Sequence, residues 1–550
     1  MNLIHPLNIL YDLCIVGAGP AGIITALEYC RYNPGKKILL VEYGRGRNQH
    51  HNALDDSIKI DNPANHYHPY ECTNKGLGGT SATWGGRCVM YDEIDFMERS
   101  VTGDDCTWGA DVLAGLRPYL PKAAEYFECG EPIFNLKDIE EFRGTHIAEG
   151  FVEGIVTDSV VERWSMPTRF GSRYSNRLKK TRDIHVLQGF EIRDMQSPNA
   201  AGTVTSVKIR NVSTATESEV TAKRFVLAAG TQETTRALLR NKQLFKNLDS
   251  IPEALGHYYQ GHISGKVASV VFHGNPQKTD YGFLKGKDKT YLRRRFQFTS
   301  NFLKEQNLLN TAIWLDNPLY YNPAHRNGAM SLMYLAMITP VLGKKLAPPA
   351  IAESITKGMR TGVKRHILNI LRELPHSLTI PAAIFYKRYL LKRKLPGVFL
   401  FSPENKYALH FHAEQLPQYR NRMYLGEDRE TLHIDYSLAD EDIRSVIRTH
   451  EALDHWLREC GCGELQYWFG EDAIFEAIKG MSRDGMHQSG TTRMAESPAR
   501  GVVDMDLKLW GTKNVYICSS SVYPTSGQAN PTFLLGVFAC RLAKHLTTAP

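Results

Sequence analysis

Six residues near the start of the chain have the types and spacing to hold a dinucleotide. Gly17, Ala18, Gly19, Pro20, Ala21 and Gly22 form a GxGxxG run. The first glycine permits a tight turn, the second lets the backbone approach a pyrophosphate, and the third lets a helix pack on the strand before it. A helix opening at this turn points free N–H groups and a partial positive charge at the phosphates. Glu42 follows Gly22 by 20 residues, where a carboxylate can accept from a ribose hydroxyl and disfavours a 2′-phosphate. NAD and FAD therefore remain open, and NADP is not expected. Proton transfer is the second candidate chemistry. Histidine titrates near neutrality, which suits a general base. Among the 20 histidines, His487 is followed by the polar turn Ser489-Gly490-Thr491-Thr492, not expected in the deep core. Asn530 lies 43 residues further on, in a Gly/Asn/Pro loop. The residues alone leave open a structural histidine at 487 and a plain turn residue at 530.

These groups need elements to hold them. Residues 11–16 read as a short apolar strand, ITALEYCRY has helical spacing, and residues 37–42 form a second strand ending in the acid. Residues 75–87 are too glycine-rich for a core element, so their backbone passes close to something flat or charged. FVLAAGT (225–231) reads as a buried strand running into a glycine turn, with a helix expected from Glu233. NVYIC (514–518) is another such strand, leading into Ser519-Ser520-Ser521 and the loop Gly527-Gln528-Ala529-Asn530-Pro531-Thr532.

The N-terminal fingerprint, LGGTS-x-x-W, LAAGT, MHQSGTTRM and the terminal NP loop occur here in one order. Together they resemble the glucose-methanol-choline (GMC) oxidoreductases, FAD-dependent enzymes that oxidise alcohols, in the bacterial sugar- or polyol-oxidising form. LHFHAEQLPQYRNRMYL (409–425) is similar to that family's strand before its C-terminal lobe. The resemblance implies an α/β fold in two lobes: a discontinuous Rossmann-like FAD domain and a substrate domain with an antiparallel sheet and helices. Its pieces fall at 1–95, 186–260 and 481–550 for the FAD domain, and at 96–185 and 261–480 for the substrate domain. It places His487 and Asn530 side by side at the reactive face of the flavin. There His487 is the base for the substrate hydroxyl, Asn530 hydrogen-bonds the oxygen, and the hydride passes to flavin N5. By the same resemblance Gly79, Thr80 and Trp84 touch the cofactor, Ile192 meets the adenine, and Ala229 and Gly230 approach the ADP portion. Ser519, Ser520, Pro531 and Thr532 complete the set. Some relatives attach FAD through a histidine before the tryptophan; Thr83 stands there in this chain, so non-covalent FAD is expected. Many relatives read Asp-Gly-Ser where this chain has Ser519-Ser520-Ser521, which leaves the role of position 519 less defined. The expected activity is oxidation of a carbohydrate or lipid-linked sugar hydroxyl, with oxygen, a quinone or a redox protein as electron acceptor. A sterol or other lipid alcohol is the alternative substrate, and a non-redox lyase that keeps its flavin is the alternative class. His410 and His412 share one strand face, which reads either as a pocket lining or, more plainly, as a polar sheet surface.

Composition sets the frame. The 550 residues, 42% hydrophobic and 23% charged, fit a globular protein and exclude a disordered or fibrous one. The ten cysteines show no CxxC pair and no Cys/His metal spacing, so no metal is expected. The first residues carry neither a basic n-region nor a long apolar run, which points to no signal peptide and a cytoplasmic setting.

The net charge of +8 is unevenly spread. Residues 341–395 hold twelve basic and two acidic side chains, a net +10, so the rest of the chain sums to −2. Within the insert 328–395, Ile351, Ile355, Met359, Val363, Ile367 and Leu371 recur at helical spacing, with Lys357, Arg360 and Lys364 on the other side. An amphipathic helix is expected there, opened by Pro348-Pro349 and stopped by Pro375. An uncharged stretch (327–343) and an apolar-aromatic piece (378–386) flank it. Two readings follow: a patch peripheral to an anionic membrane surface, or a helix packed on its own domain with a solvated basic face. Nucleic acid is not expected, since no DNA- or RNA-binding motif accompanies the charge.

Overall fold

The structure, a computed structural model, describes residues 9–46, 57–103, 106–339, 343 and 362–548. A five-stranded parallel sheet organises the nucleotide end, in the order Val515–Ile517, Phe225–Leu227, Leu13–Val16, Ile38–Glu42, Ile184–Gln188. Register sets Cys14 beside Phe225 on one side and Leu39 on the other. Four of the five strands are apolar almost throughout, as parallel strands covered on both faces must be. The fingerprint helix Pro20–Tyr32 packs against the C-terminal helix Pro531–Thr548, so both ends of the chain share one core. The carboxyl ends of these strands carry the glycine turns, which is where an open α/β sheet receives its ligand.

A six-stranded antiparallel sheet faces that edge, in the order Gly463–Tyr467, His262–Phe272, Lys406–Glu414, Thr311–Asp316, Phe296–Phe298, Val156–Thr157. One of its faces joins a second apolar core with helices Asp440–Glu459 and Glu471–Met481. Leu409, Phe411 and Ala413 point into that core, so strand alternation sends His410 and His412 to the opposite face. The fold class is the one expected from the motifs: α/β, with a discontinuous dinucleotide-binding sheet and an antiparallel sheet beside it.

Local expectations need correction. The stretch leading to Ile192 forms two strands, Ile184–Gln188 and Phe190–Met195, which belong to different sheets. Gly189, at φ 83°, makes the break between them. The helix expected from Glu233 begins at Gly230. The turn at 489–492 is buried: the Thr235 and Thr491 hydroxyls pair at 2.7 Å, and Thr492 donates to the Ser521 hydroxyl at 2.7 Å. Partnered hydroxyls enter a core at little cost.

In the insert, the uncharged stretch forms the helix Gly328–Met337, whose Met330 N–H donates to Asn327 Oδ1 at 2.8 Å. The amphipathic helix is described only over Val363–Arg372. Its expected first half, with Ile351, Ile355, Met359, Lys357 and Arg360, lies outside the described residues. Pro375 separates it from a further helix, His376–Phe385. No helix among the described residues is long and apolar enough to cross a membrane.

Candidate active site and cofactor cleft

At the carboxyl edge of the parallel sheet lies a cleft built by five stretches of chain. Gly17, Gly19, Pro20, Ala21 and Glu42 line it from the first two strands. Gly79, Thr80 and Trp84 close one side, Ile192 another, and Ala229 and Gly230 a third. Ser520, Pro531 and Thr532 come from the end of the chain. Gly22, Ser519 and Asn530, from the same expected set, do not line it. Gly22 packs instead: a Cβ there would lie 1.9 Å from the Gly17 carbonyl oxygen, so the helix sits against its own turn. Ser519 is buried, and its hydroxyl accepts from the Ser521 N–H at 3.3 Å.

The cleft fits the diphosphate of a dinucleotide. Helices Pro20–Tyr32 and Gly230–Arg240 both begin at it, and neither has a side-chain cap at its N-terminus. Their free N–H groups and partial positive charge form an anion seat. Space at Gly19 is open, with nothing within 4 Å of a Cβ placed there. Glu42 is differently employed than expected. Its Oε2 accepts from the Ala18 N–H at 2.9 Å, and its Oε1 accepts from Gly44 at 2.9 Å and Gly76 at 2.8 Å. The carboxylate thus ties the fingerprint turn to the glycine-rich stretch. About four lone-pair sites serve a carboxylate, so one remains for a ribose hydroxyl.

His487 and Asn530 meet. The Asn530 amide Nδ2 donates to His487 Nε2 at 2.7 Å, and Asn530 Oδ1 is buried without a partner. Asp484 builds the turn that presents His487: its Oδ1 accepts from the Gly485 and Met486 N–H groups, both at 2.7 Å, and from that of His487 at 3.3 Å. Its Oδ2 accepts from the His262 N–H. Gln260 joins this turn to the Asn530 loop by pairing with Ser489 and accepting the Ser526 N–H at 3.0 Å. Pro531 opens the C-terminal helix, where its fixed φ suits the first turn and its missing N–H costs nothing.

Two more histidines complete the site: His412, whose strand face had a pocket lining as its less plain reading, and His262, which no motif marked. His262 stacks on His412 at 4.1 Å between centroids, and His487 stands edge-on to them at 4.9 and 5.3 Å. His412 Nδ1 donates to the Gln528 carbonyl at 2.6 Å. His262 is buried, with its ring against the Ser526 backbone and its Nδ1 3.8 Å from Asp484 Oδ2. Arg87 adds a cation beside them; it pairs with buried Glu162, which also holds Arg293 at 2.6 Å, and lies 4.4 Å over Trp314. His410 stacks on the same Trp314 at 4.6 Å and meets Asp316 at 3.5 Å. For His412 a signal existed in the strand alternation; for His262, Arg87 and Asp484 no local signal did.

Electrostatics favour a neutral imidazole at His487. Burial pushes its pKa below the ordinary range, Asp484 pulls it up, and Arg87 pushes it down again. Burial likewise takes His262 down to about 3, helped by His487 and Arg87, and it lowers His412 further below the ordinary value. The ring nitrogens of the three lie within 4.8 Å of one another, close enough for metal ligands, but the Arg87 cation works against a metal ion there.

Residues 417–539 match the family model for GMC oxidoreductase. The whole chain has the fold of a fungal aryl-alcohol oxidase, with a TM-score of 0.53 at 14% identity and 98% of both chains covered. An FAD-dependent oxidoreductase from Chaetomium thermophilum is similar at a TM-score of 0.50 and 15% identity, covering 97% of this chain and 98% of that one. Paromamine 6'-oxidase of Streptomyces fradiae is 28% identical over 111 residues, 20% of this chain. The match spans 19% of the length of that relative. The chain has the fold of these oxidoreductases, with a cleft at the carboxyl edge of its parallel sheet. Over residues 417–539 the chain carries the GMC oxidoreductase match, and its ordered motifs resemble the same family.

Proposed function

We propose that this protein oxidises a carbohydrate-type hydroxyl to a carbonyl, using non-covalently bound FAD. Bound in the cleft, FAD supplies the two-electron acceptor for the carbinol C–H. The chain supplies the rest. A substrate hydroxyl replaces the direct bond between Asn530 and His487, giving its proton to His487 Nε2 while Asn530 Nδ2 donates to its oxygen. His487, held neutral by burial, is ready to take that proton. Gly17, Gly19 and the two uncapped helix ends seat the diphosphate, and the remaining lone pair of Glu42 takes the ribose. An acceptor of the oxygen, quinone or redox-protein kind completes the turnover. All ten cysteines are free, in keeping with a reducing, cytoplasmic setting.

The choice of substrate rests on one observation. Around His487, the buried Asn530 Oδ1 and Arg87 Nε lack hydrogen-bond partners among the described residues. Each such group costs about 1–3 kcal/mol while unpaired. A polyhydroxylated molecule pairs them, and a sterol or simple lipid alcohol leaves them bare, a mismatch worth large factors in selectivity. The test is anaerobic flavin absorbance during addition of aldoses, polyols, sterols and long-chain alcohols. Bleaching by the polyhydroxylated compounds alone supports the proposal. Bleaching by sterols instead would move the substrate class, and no bleaching by any alcohol would favour a non-redox enzyme.

A further inference from the structure

The described part of the insert is folded inside out. Helix Val363–Arg372 turns its polar side inward: His366 Nδ1 meets the Ser331 hydroxyl at 3.0 Å, and Asn369 Nδ2 donates to the Pro323 carbonyl at 2.9 Å. His366 and Asn369 are buried, as is Ser377 at the start of the next helix. Glu373, the one acid in residues 362–395, also faces inward, where its Oε2 accepts from the Gly328 N–H at 2.6 Å. The outward side is apolar. Ile367 and Leu371 lie one turn apart on this helix, Leu374 in the link and Leu378 on the next helix, and they are 46%, 59%, 47% and 54% exposed. Phe385 and Leu390 extend the face, at 52% and 66%. Nine of the eighteen exposed large hydrophobic side chains among the described residues fall within residues 363–390. A monomer surface has no reason of its own to bury histidine and asparagine while it exposes leucine, so this face is made for a partner.

The charge says which partner. Lys364, Arg365, Arg372, Lys387, Lys392 and Lys394 are exposed around the apolar face. Exposed leucines accompanied by exposed cations match the boundary of an anionic lipid bilayer, with leucines among the acyl chains and Lys/Arg among the headgroups. With no spanning helix among the described residues, the attachment is peripheral. We propose that helices Val363–Arg372 and His376–Phe385 dock the protein on an anionic membrane surface. This goes beyond the reaction proposed above and does not depend on it.

Vesicle flotation of the full-length FAD-loaded protein tests the inference. Vesicles of equal parts phosphatidylcholine and phosphatidylglycerol should carry the protein, pure phosphatidylcholine much less, and molar salt should release it as the Debye length falls to about 3 Å. Lys364→Gln with Arg372→Gln should weaken partition about 30-fold, the worth of two basic residues at such a surface. Ile367→Glu with Leu371→Glu should abolish it, and Val152→Glu, at an exposed site elsewhere, should float like the parent. Flavin content of each variant reports that it is folded. Failure of the parent to float on anionic vesicles overturns the proposal, as does flotation of the Glu variant at the parental level. A dimer in solution that the same substitutions dissociate, with no vesicle binding, would assign the face to a second copy of the chain.

Discussion

Two glycines three residues apart should fail in different ways when each becomes alanine. At Gly22 the added methyl carbon would lie 1.9 Å from the Gly17 carbonyl oxygen, where ordinary contact begins near 3.4 Å. The helix must therefore move by about 1.5 Å, a displacement in the class of core overpacking that costs about 1–3 kcal/mol. The same movement drags the phosphate seat, so FAD affinity should fall by on the order of 10–100-fold. At Gly19, φ is −73° and nothing stands within 4 Å of the new carbon. The apo protein should then lose at most about 1 kcal/mol, as alanine is the poorer N-cap. The methyl group would occupy the space meant for the diphosphate, so Gly19→Ala should lose FAD while Gly22→Ala loses FAD and stability together. Thermal melts of the apo proteins and fluorescence titration with FAD separate the two. Tight FAD binding by Gly19→Ala would refute the placement of the phosphates, and an unshifted melt for Gly22→Ala would refute the packing argument.

Acid precipitation of the holoprotein should leave yellow FAD in the supernatant, because Thr83 cannot form a histidyl link; flavin in the pellet would contradict this. Asp484→Asn removes the carboxylate that raises the His487 pKa. The base works only when neutral, so activity is lost as pH falls through that pKa, and the acid limb of kcat/KM should move to lower pH; a limb that moves up or stays put would remove Asp484 from this role. Arg99 and Glu414 form a buried bidentate pair at 2.7 and 2.6 Å. Arg99→Met should destabilise by about 3–5 kcal/mol by stranding the carboxylate, read by chemical denaturation, and a change under about 1 kcal/mol would show the pair to be solvated.

How much of this could be read beforehand follows chain distance. The fingerprint turn, its helix and Glu42 are contiguous in sequence, so local spacing carries them. The meeting of His487 with His262 and His412 depends on antiparallel register, with Ser264 opposite His412 and His262 opposite Glu414. No local pattern encodes a pairing across some 150 residues. Asp484 sits three residues before His487, yet its work is done by a side chain accepting backbone N–H groups, which composition does not reveal. The insert shows another limit. Periodicity gives the stripe Val363, Ile367 and Leu371, but not whether that stripe faces in or out. Here the deciding residues were His366 and Asn369, buried because Ser331 and the Pro323 carbonyl offer them partners. The turn at 489–492 was misread for the same reason, since its hydroxyls find partners only in the folded chain.

The central claim is that His487 takes the proton from the substrate hydroxyl. Anaerobic stopped-flow measurement of flavin reduction in His487→Ala tests it most directly, using any alcohol that bleaches the parent enzyme. FAD should remain bound, since His487 does not line the cofactor cleft. Reduction should slow by about 10²–10⁴-fold, the worth of a positioned general base. Reduction at the parental rate with FAD fully bound would contradict the account and place the base elsewhere.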